Sequence, residues 1–545
     1  MRNLLFLLPL LWLGCAHTAE TADTIIHNAR IYTMDAAQTV HTAIAIKDGK
    51  ILEVGPDRQI LNKYRSSNKV DGAMRPIYPG LIDAHCHFLG YGMELRNADL
   101  VGTSSWLEVL EAVQSHQEAY PSAWVLGRGW DQEDWEVKAF PTNQELNVLF
   151  PELPVCLTRV DGHANIVNDA ALSLAGIDAE MAADREDILT DEQGQPTGVL
   201  IDNACALVED LIPEPNQAEK RQALLRAQKD CFAVGLTTVD DAGLPRADIE
   251  LIDQMHKSGD LKMRIYAMVS DSPEDLDYYT QVGPQITDRL NVSSFKFYAD
   301  GALGSRGACL SRPYADLVHP QYGMILKTPD HYRQAAERLH AAGFQMNTHC
   351  IGDSANRVIL ELYADILGKQ NDHRWRIEHA QVVHKQDISL FRDYSIIPSI
   401  QPTHATSDMY WAEQRLGRNR VRRAYAYKEL REAMGFVALG TDFPVEGISP
   451  FNTFYAAVVR KDKDNYPEGG FQMENALTRQ EALLGMTLWA AMSNHEETLK
   501  GTLEAGKLAD LVMLDRDLLA CPDDRILGTK VLMTMVDGEV VHQAP

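Results

Sequence analysis

The sequence predicts an α/β protein: a closed (β/α)8 barrel, a β-sandwich formed by both chain ends, and an insertion after the first barrel strand. Three observations carry this prediction. Eight short apolar, strand-like runs recur along the middle of the chain, with helical patterns between them. Small hairpin patterns stand near both ends, and most candidate catalytic residues come where strand-like runs end. Alternating β and α units favour a parallel sheet, and eight of them favour a closed barrel.

The first 14 residues have the pattern of a signal peptide. Arg2 supplies a positive start, and the apolar run from Leu4 to Leu13 is too short to span a bilayer. Gly14-Cys15 is similar to a bacterial lipoprotein cleavage site, although Trp12 departs from the usual aliphatic residue. We therefore expect export to the bacterial periplasm, with Cys15 as the candidate lipidation site for an N-terminal membrane anchor.

Composition narrows the possible partners. The chain has 545 residues and a formal net charge of −26. Nucleic acid and anionic membrane surfaces are therefore poor partners, and a small-molecule substrate is the expectation. The seven cysteines after Cys15 form no CxxC pair and no dense disulfide framework. We therefore expect them to be small buried hydrophobic residues, and the sequence leaves open whether two of them form one disulfide. The sequence also leaves open whether the chain forms a homo-oligomer.

The two chain ends predict one β-sandwich. Residues 22–76 contain strand-like runs with a tight turn at Asp48-Gly49, and residues 500–545 repeat this pattern with a turn at Asp537-Gly538. Each unit alone is too small to hold a core. We therefore expect the two units to pack together.

The middle of the chain, residues 77–499, predicts the barrel, which has the (β/α)8 arrangement of a TIM barrel. The first strand is expected within the apolar run Pro76 to Ile82, leading into Asp83-Ala84-His85-Cys86-His87. The gap before the second strand is too long for an ordinary loop, so residues 97–205 are expected to form an insertion over the barrel mouth. The other seven runs are 236–240, 263–269, 292–297, 344–349, 375–379, 396–400 and 436–442.

Two histidines at the end of the first strand suggest a metal site. Side chains alternate along a strand, so His85 and His87 point the same way and Cys86 points the other way. Two imidazoles on one side of a rigid strand can share a metal ion. The alternative is a pair of ordinary loop histidines after a core strand.

Four more residues at or within later strands strengthen the metal hypothesis. Active sites of such barrels lie at the C-terminal ends of the strands. Each residue alone has an ordinary alternative as a core or surface residue, but six in one barrel favour a shared site. The six, here called the strand-end ligands, are His85, His87, Lys296, His349, His379 and Asp442.

Lys296 differs from the other candidates because it lies in a Phe-Lys-Phe strand, where it is expected to be buried. Burial disfavours the charged amine and lowers its pKa. A neutral amine can react with carbon dioxide to form a carbamate, which would bridge two metal ions. The alternative is a lysine paired with Asp300 or extended to the rim.

Together these motifs resemble the metal-dependent amidohydrolase superfamily, and more narrowly its amidohydrolase 3 branch, which contains N-substituted formamide deformylase. The resemblance covers nearly all of the chain after the signal segment and implies a barrel joined to a sandwich made from both termini. The matching stretches are Gly80 to His87, Lys296 to Arg306, His349 to Asp353, Arg376 to His379 and Gly440 to Val445.

The resemblance implies that the strand-end ligands bind one or two divalent ions. The histidine pair of the first strand would bind the more buried ion together with Asp442, and His349 and His379 would bind the more exposed ion. Lys296, carrying a carbamate, would bridge the two ions. Zinc is expected because imidazole suits it, with iron or manganese as alternatives.

The resemblance also implies a hydrolase that cleaves a non-peptide C–N bond with metal-activated water. Asp442 would accept the proton of the attacking water and pass it to the leaving nitrogen. His163, in the insertion, would stabilise the developing oxyanion or simply stabilise a turn. Arg306 and Asp353 would shape the substrate pocket. Two alternatives are a heterocycle deaminase of the same superfamily and a non-catalytic binding barrel.

Overall fold

The computed structural model describes residues 20–159, 162, 164–185 and 187–545, without the side chains of Glu133 and Asp202. The predicted signal segment 1–14, Cys15 and His163 lie outside the described residues. In the described part of the chain, every helix is too short or too polar to cross a bilayer.

Eight parallel strands form the barrel, as the sequence predicts, and neighbouring strands pair in chain order. The strands are β1 (Leu81–Cys86), β2 (Leu236–Leu244), β3 (Arg264–Ser270), β4 (Leu290–Tyr298), β5 (Gln345–Cys350), β6 (Arg376–His379), β7 (Ile397–Ile400) and β8 (Ala438–Leu439).

Helices between and after the strands cover the outside of the barrel. They are Phe88–Glu94, Gln217–Ala233, Arg246–Ser258, Pro273–Val282, Pro329–Ala342, Asp353–Leu367, Ile388–Asp393, Pro402–Asp408, Ala412–Leu416, Tyr427–Met434, Pro450–Val459, Arg479–Gly485 and Leu488–Ser493. Short 3-10 turns lie at Val421–Arg423, Met473–Asn475 and Asp523–Arg525, and a short strand, Gln285–Ile286, pairs with β4.

The first predicted strand is in fact two strands. Pro76–Pro79 pairs with strands from both chain ends in a terminal sheet, and only Leu81–Cys86 belongs to the barrel. Gly80 separates them and packs closely against Thr237, where a Cβ atom would lie 2.2 Å from the threonine Oγ1. The apolar run hides this boundary because both strands are fully buried.

Two sheets built from both chain ends form the sandwich. The four-stranded sheet contains Lys50–Gly55, Ala43–Lys47, Thr24–His27 and Asn68–Asp71. The six-stranded sheet contains Glu539–Gln543, Val531–Val536, Leu511–Leu514, Pro76–Pro79, Arg30–Tyr32 and Val40–His41. The helix Asp57–Lys63 and the short strand pair Glu20–Thr21 and Tyr64–Arg65 lie beside the four-stranded sheet. Residues of both chain ends share one apolar core.

Charged side chains connect the sandwich to the barrel. Arg264, at the start of β3, is buried and its Nε donates to Asp510 Oδ2 at 2.6 Å. It also pairs with Asp537, whose other oxygen lies 2.7 Å from Arg289 Nη2. These ion pairs hold the C-terminal sheet against the bottom of the barrel, opposite the histidine-bearing strand ends.

The insertion after β1 forms its own small domain with a mixed six-stranded sheet. Its strands are Ala98–Asp99, Val125–Trp130, Val155–Arg159, Ala164–Val167, Pro196–Ile201 and Ile188–Thr190. Its helices are Trp106–Ala119, Gln144–Leu149, Asp169–Leu174, Ala179–Ala183 and Ala206–Glu209, with 3-10 turns at Gln132–Asp134 and Asp202–Ala204. Two apolar cores of its own stabilise it.

Candidate metal centre and active site

A cavity of about 530 Å³ opens at the C-terminal ends of the barrel strands. Five of the strand-end ligands line it, and His85, the sixth, lies directly beneath and contacts two of them. The structure therefore brings together side chains that are up to 357 positions apart, because His85 lies near the end of β1, Asp442 follows β8, and these first and last strands contact each other.

Backbone hydrogen bonds between the end of the first strand and the segment that follows the last strand fix the position of Asp442. Its N–H donates to the carbonyl of His85 at 2.8 Å, and the N–H of His87 donates to the carbonyl of Phe443 at 2.8 Å. The Asp241 carboxylate accepts the N–H groups of Phe88 and Leu89, both at 3.1 Å, and so fixes the turn that follows the histidine pair.

His85 is fully buried and oriented by a carboxylate. Its Nδ1 lies 2.5 Å from Glu378 Oε2, and its Nε2 faces Lys296 Nζ at 3.0 Å. Burial, reinforced by the neighbouring lysine, lowers the pKa of His85 to about 4. A neutral imidazole that donates Nδ1–H to a carboxylate presents its Nε2 lone pair to a metal ion.

Asp442 lies at the centre of the site in a left-handed backbone conformation, with φ of 65°. Its Oδ1 lies 3.3 Å from His87 Nε2 and 3.6 Å from His85 Nε2, yet makes no hydrogen bond within the described chain. Its Oδ2 accepts from His404 Nε2 at 3.2 Å. Burial would raise the pKa of Asp442, but the neighbouring His404 and His87 imidazoles outweigh burial and hold the pKa well below its usual range.

The second histidine pair lies across the cavity. The rings of His349 and His379 are 4.5 Å apart, and His379 Nδ1 is bonded to Gln401 Oε1 at 2.7 Å. His349 Nε2 is buried and has no hydrogen-bond partner in the described chain. Burial lowers the pKa of His349 to about 3 and holds that of His379 well below its usual range, so both rings are neutral and can offer a lone pair to a metal ion.

Lys296 is 1 % exposed, and its side chain lies in the cavity beside His85. Burial lowers the pKa of Lys296 to about 8, although Glu378 and Asp442 act in the opposite direction. The Asp300 carboxylate is already occupied by the backbone N–H groups of Cys309, Ile351 and Gly352. The sequence alternative of a Lys296–Asp300 pair is therefore not what the structure shows.

The donor set fits a divalent ion of the zinc type. Ligand atoms of His85, His379 and Asp442 all lie within 4.8 Å of one another, and all three residues are buried. The partnerless His349 Nε2 and Asp442 Oδ1 both belong to the same cavity. Buried polar atoms normally have partners, so a bound cation explains both atoms.

Sequence reasoning missed four residues that hold the ligands in place. His404, on the helix Pro402–Asp408, connects Asp442 Oδ2 to Glu446 Oε1, which lies 3.2 Å from its Nδ1. Gln401 and Glu378 orient His379 and His85. The available signal was position: Gln401 directly follows β7, and His404 comes one helical turn later.

Burial and the two carboxylate acceptors have opposite effects on the pKa of His404. Burial lowers its pKa, but the hydrogen bonds to Asp442 and Glu446 outweigh this effect and raise the pKa to about 10. The ring is therefore a hydrogen-bond donor to both carboxylates. This contact fixes which oxygen of Asp442 faces the histidine pair of β1.

Two predicted pocket residues are engaged elsewhere. Arg306 pairs with Asp316, at 2.7 Å between Nη2 and Oδ2, and Asp353 accepts from the backbone N–H of Ser311 at 2.8 Å. Neither is among the described residues that line the cavity. Their predicted substrate contacts, like that of His163 outside the described residues, stay predictions.

Comparisons with known proteins found similarity over nearly the whole chain. A family model described as "Amidohydrolase family" matches residues 75–542. The chain is 30 % identical to "Protein LONG AFTER FAR-RED 3" of Arabidopsis thaliana over 96 % of its length and 92 % of that protein. It is 26 % identical to "N-substituted formamide deformylase" of Arthrobacter pascens over 96 % of its length and 99 % of that protein.

A solved structure is similar over almost the whole chain. The crystal structure of an uncharacterized metal-dependent hydrolase from Pyrococcus furiosus superposes with a TM-score of 0.75 at 26 % identity. The match covers 91 % of this chain and all of that one. The barrel, the terminal sheets and the insertion therefore belong to an arrangement already seen in metal-dependent hydrolases.

Proposed function

The chain belongs to the amidohydrolase family, and from this premise we propose that it hydrolyses a C–N bond other than a peptide bond, in an amide, formamide or cyclic amide. The coarser description, a metal-dependent hydrolase, follows from the family and from the donor set. The finer one is supported by the relative described as N-substituted formamide deformylase, which matches over 96 % of this chain.

One observation carries the proposal: Asp442 Oδ1 has no hydrogen bond within the described chain but lies within 3.6 Å of two imidazole nitrogens at the floor of an open cavity. A carboxylate oxygen in this position can bind a cation and exchange a proton with a molecule bound beside it. A non-catalytic binding barrel would have no need to keep such a costly group unpaired.

The chain's own residues would perform the proton transfers. A bound divalent ion supplies acidified water and a polarised carbonyl. Asp442 would accept the proton of the attacking water and return it to the leaving nitrogen. His404 holds Asp442 Oδ2, so the free oxygen faces the cavity.

We further propose zinc as the ion and a carbamate on Lys296. Four imidazoles and a carboxylate suit zinc. A buried lysine with a pKa of about 8 has enough neutral amine at neutral pH to react with carbon dioxide. A high-resolution map should show additional density on Lys296 Nζ; a bare amine facing no metal would contradict the carbamate.

Export to the periplasm and a lipid on Cys15 also remain proposals, supported by the sequence of the N-terminal segment. Mass spectrometry of the mature protein from a bacterial host would test both. The expected mature chain begins at Cys15 with added lipid mass. An intact N-terminus beginning at Met1 in the membrane-free fraction would contradict them.

The experiment that tests the reaction is a substrate panel with the purified, metal-loaded enzyme. The panel contains N-formyl amines, N-acetyl amines, cyclic amides and amino-substituted heterocycles, and the readouts are released amine and ammonia. Amine release from the first three groups is expected. Ammonia released only from the heterocycles would replace the proposed reaction with deamination.

A further inference from the structure

Exposed apolar side chains are concentrated on one part of the insertion domain. Leu107, Val137 and Val148 are 64 %, 72 % and 80 % exposed. Two cavities, of about 580 Å³ and about 540 Å³, open beside them, and Leu107 lines both. We call the larger one the helix groove and the smaller one the aromatic groove. A joined apolar surface of this kind on a folded domain marks a site of interaction.

The helix groove lies between the helices Trp106–Ala119 and Gln144–Leu149. Each helix contributes two apolar residues, one glutamate and one glutamine to its lining: Leu107, Leu110, Glu111 and Gln114 from the first helix, and Gln144, Glu145, Val148 and Leu149 from the second. Trp106 Nε1 donates to Glu145 Oε2 at 3.3 Å and so links the two helices. An apolar groove between two helices, with polar residues along both of them, can receive one face of an amphipathic helix.

The aromatic groove continues this surface beyond Leu107. Its lining includes Trp106, Trp135 and Phe140. The rings of Trp106 and Trp135 lie 6.1 Å apart, and Trp135 Nε1 donates to the Thr103 carbonyl at 3.1 Å. These contacts hold two aromatic rings beside a space that is large enough for one bulky side chain. Pockets of this kind receive the anchor residues of protein–protein interfaces.

The charged residues that line the two grooves are all acidic. They are Glu111, Glu136 and Glu145, all exposed, and no lysine or arginine is among the described lining residues. The carboxylates of Glu111 and Glu136 make no hydrogen bond or ion pair with any described residue, and that of Glu145 accepts only from Trp106. Lys138, although close in sequence, is outside both linings. Electrostatic complementarity therefore favours a partner with basic side chains.

A second copy of this chain fits the surface poorly. A two-fold contact places the same patch on both sides of the interface. The three glutamates of one copy would then lie near the same three of the other, and like charges in an interface oppose association. A partner that combines apolar and basic side chains avoids this repulsion.

We propose that this part of the insertion domain docks a basic amphipathic helix of a partner protein. The apolar stripe of that helix would lie in the helix groove, and one bulky side chain would enter the aromatic groove. Its lysine or arginine residues would lie beside Glu111 and Glu145. Neither groove shares a described lining residue with the active-site cavity, so docking is a function separate from the proposed hydrolysis.

Three labelled peptides of about 14 residues, or about four helical turns, test the proposal. The first is built from leucine and lysine in an amphipathic helical pattern. The second has the same composition in scrambled order, and the third replaces each lysine of the first by glutamate. Fluorescence anisotropy with the purified protein measures their binding. The first peptide should bind about tenfold more tightly than either control, because only this peptide combines an apolar stripe with positive charge.

Two double variants test whether the first peptide binds in the helix groove. Leu107→Ser with Val148→Ser changes side chains that are mostly exposed, so the fold should be retained. Glu111→Gln with Glu145→Gln removes two charges and keeps an acceptor for Trp106 Nε1. Each double variant should weaken binding of the first peptide about tenfold.

Matched controls change the same residue types outside both grooves. Leu174→Ser alters an apolar side chain that is 61 % exposed, and Glu180→Gln with Glu192→Gln removes two exposed carboxylates. None of these residues lines either groove. The control variants should bind the first peptide as the parent protein does.

Two outcomes would overturn the proposal. Equal binding of the amphipathic and scrambled peptides, or unchanged binding by a folded groove variant, would show that the peptide binds to the acidic surface in general. Light scattering of the protein alone tests the second outcome, in which another copy of the chain covers the grooves. A dimer that Leu107→Ser with Val148→Ser converts to a monomer would establish that outcome. We expect these substitutions to leave the oligomeric state unchanged.

Discussion

Two levels of the barrel interior treat buried polar groups in opposite ways. At the strand ends, His349 Nε2 and Asp442 Oδ1 are buried and lack hydrogen-bond partners in the described chain. One level deeper, the Arg376 guanidinium donates to Glu378 at 2.7 Å, to Asp240 at 2.9 Å and to the Ala84 carbonyl at 2.6 Å. All of these deeper groups are fully buried.

The difference indicates a structural role for the deeper level and a chemical role for the upper level. A buried charge is tolerated when it is paired and hydrogen-bonded, so the charged groups of the deeper level can support the site without taking part in its chemistry. The upper level keeps unpaired nitrogen and oxygen atoms that can bind an ion and a substrate. Glu378 joins the levels, because one of its oxygens accepts from Arg376 and the other from His85.

The largest effect is expected from Asp442→Asn in the upper level. The amide keeps the volume but cannot accept the proton, so kcat should fall about 1,000-fold. Metal content should stay near normal because four imidazoles remain. Turnover assays and elemental analysis are made on the same preparation. Asp365→Asn, a change at an exposed residue, is the control. Unchanged activity would rule out Asp442 as the base.

Arg376→Met tests the deeper level. It leaves Asp240 and Glu378 buried without their counter-ion and should lower the free energy of unfolding by about 3–5 kcal/mol. Arg333→Met, which breaks an exposed pair with Asp365, should cost less than about 1 kcal/mol. Urea denaturation measures both. Equal losses would contradict the contrast between paired interior and ordinary surface charges.

Glu378→Gln tests the connection between the levels. The neutral amide no longer fixes the tautomer of His85, so metal affinity should fall about 10–100-fold. Competition with a chromophoric chelator measures this affinity. A variant that binds metal as tightly as the parent would show that the two levels act independently.

A pH titration of the free energy of unfolding tests a buried histidine that lies outside both levels. His256, on the helix Arg246–Ser258, contacts the Met263 carbonyl at 2.9 Å, and burial lowers its pKa to about 4. Because the unfolded imidazole takes up protons at higher pH, this contribution is complete above about pH 6.5 and is lost as pH falls towards 4. We expect a loss of about 1–2 kcal/mol, absent in His256→Gln. A titration that is identical in parent and variant would contradict this assignment.

Much of the fold and of the ligand set could be predicted from the sequence because both depend on local patterns. Apolar strand-like runs ending in polar residues predicted the barrel, which the structure confirms, and placed the strand-end ligands on one rim. The hairpin turns at Asp48-Gly49 and Asp537-Gly538 predicted the terminal sheets, which are also present.

The residues that support the ligands could not be predicted in the same way. His404 lies on a helix rather than at a strand end, and its role depends on the approach of Asp442, 38 positions away. Gly80 divides an apparently continuous apolar run only because Thr237 packs against it. Such contacts belong to the tertiary structure and leave no periodic pattern in the chain.

A functional cation held by the strand-end ligands is the central claim, and chelation followed by reconstitution tests it directly. The enzyme is dialysed against a strong chelator, its residual metal is measured, and zinc is returned in steps while turnover is followed. We predict that activity disappears with the metal and returns in proportion to zinc bound, up to one or two ions per chain. Full activity in protein shown to be metal-free would contradict the account.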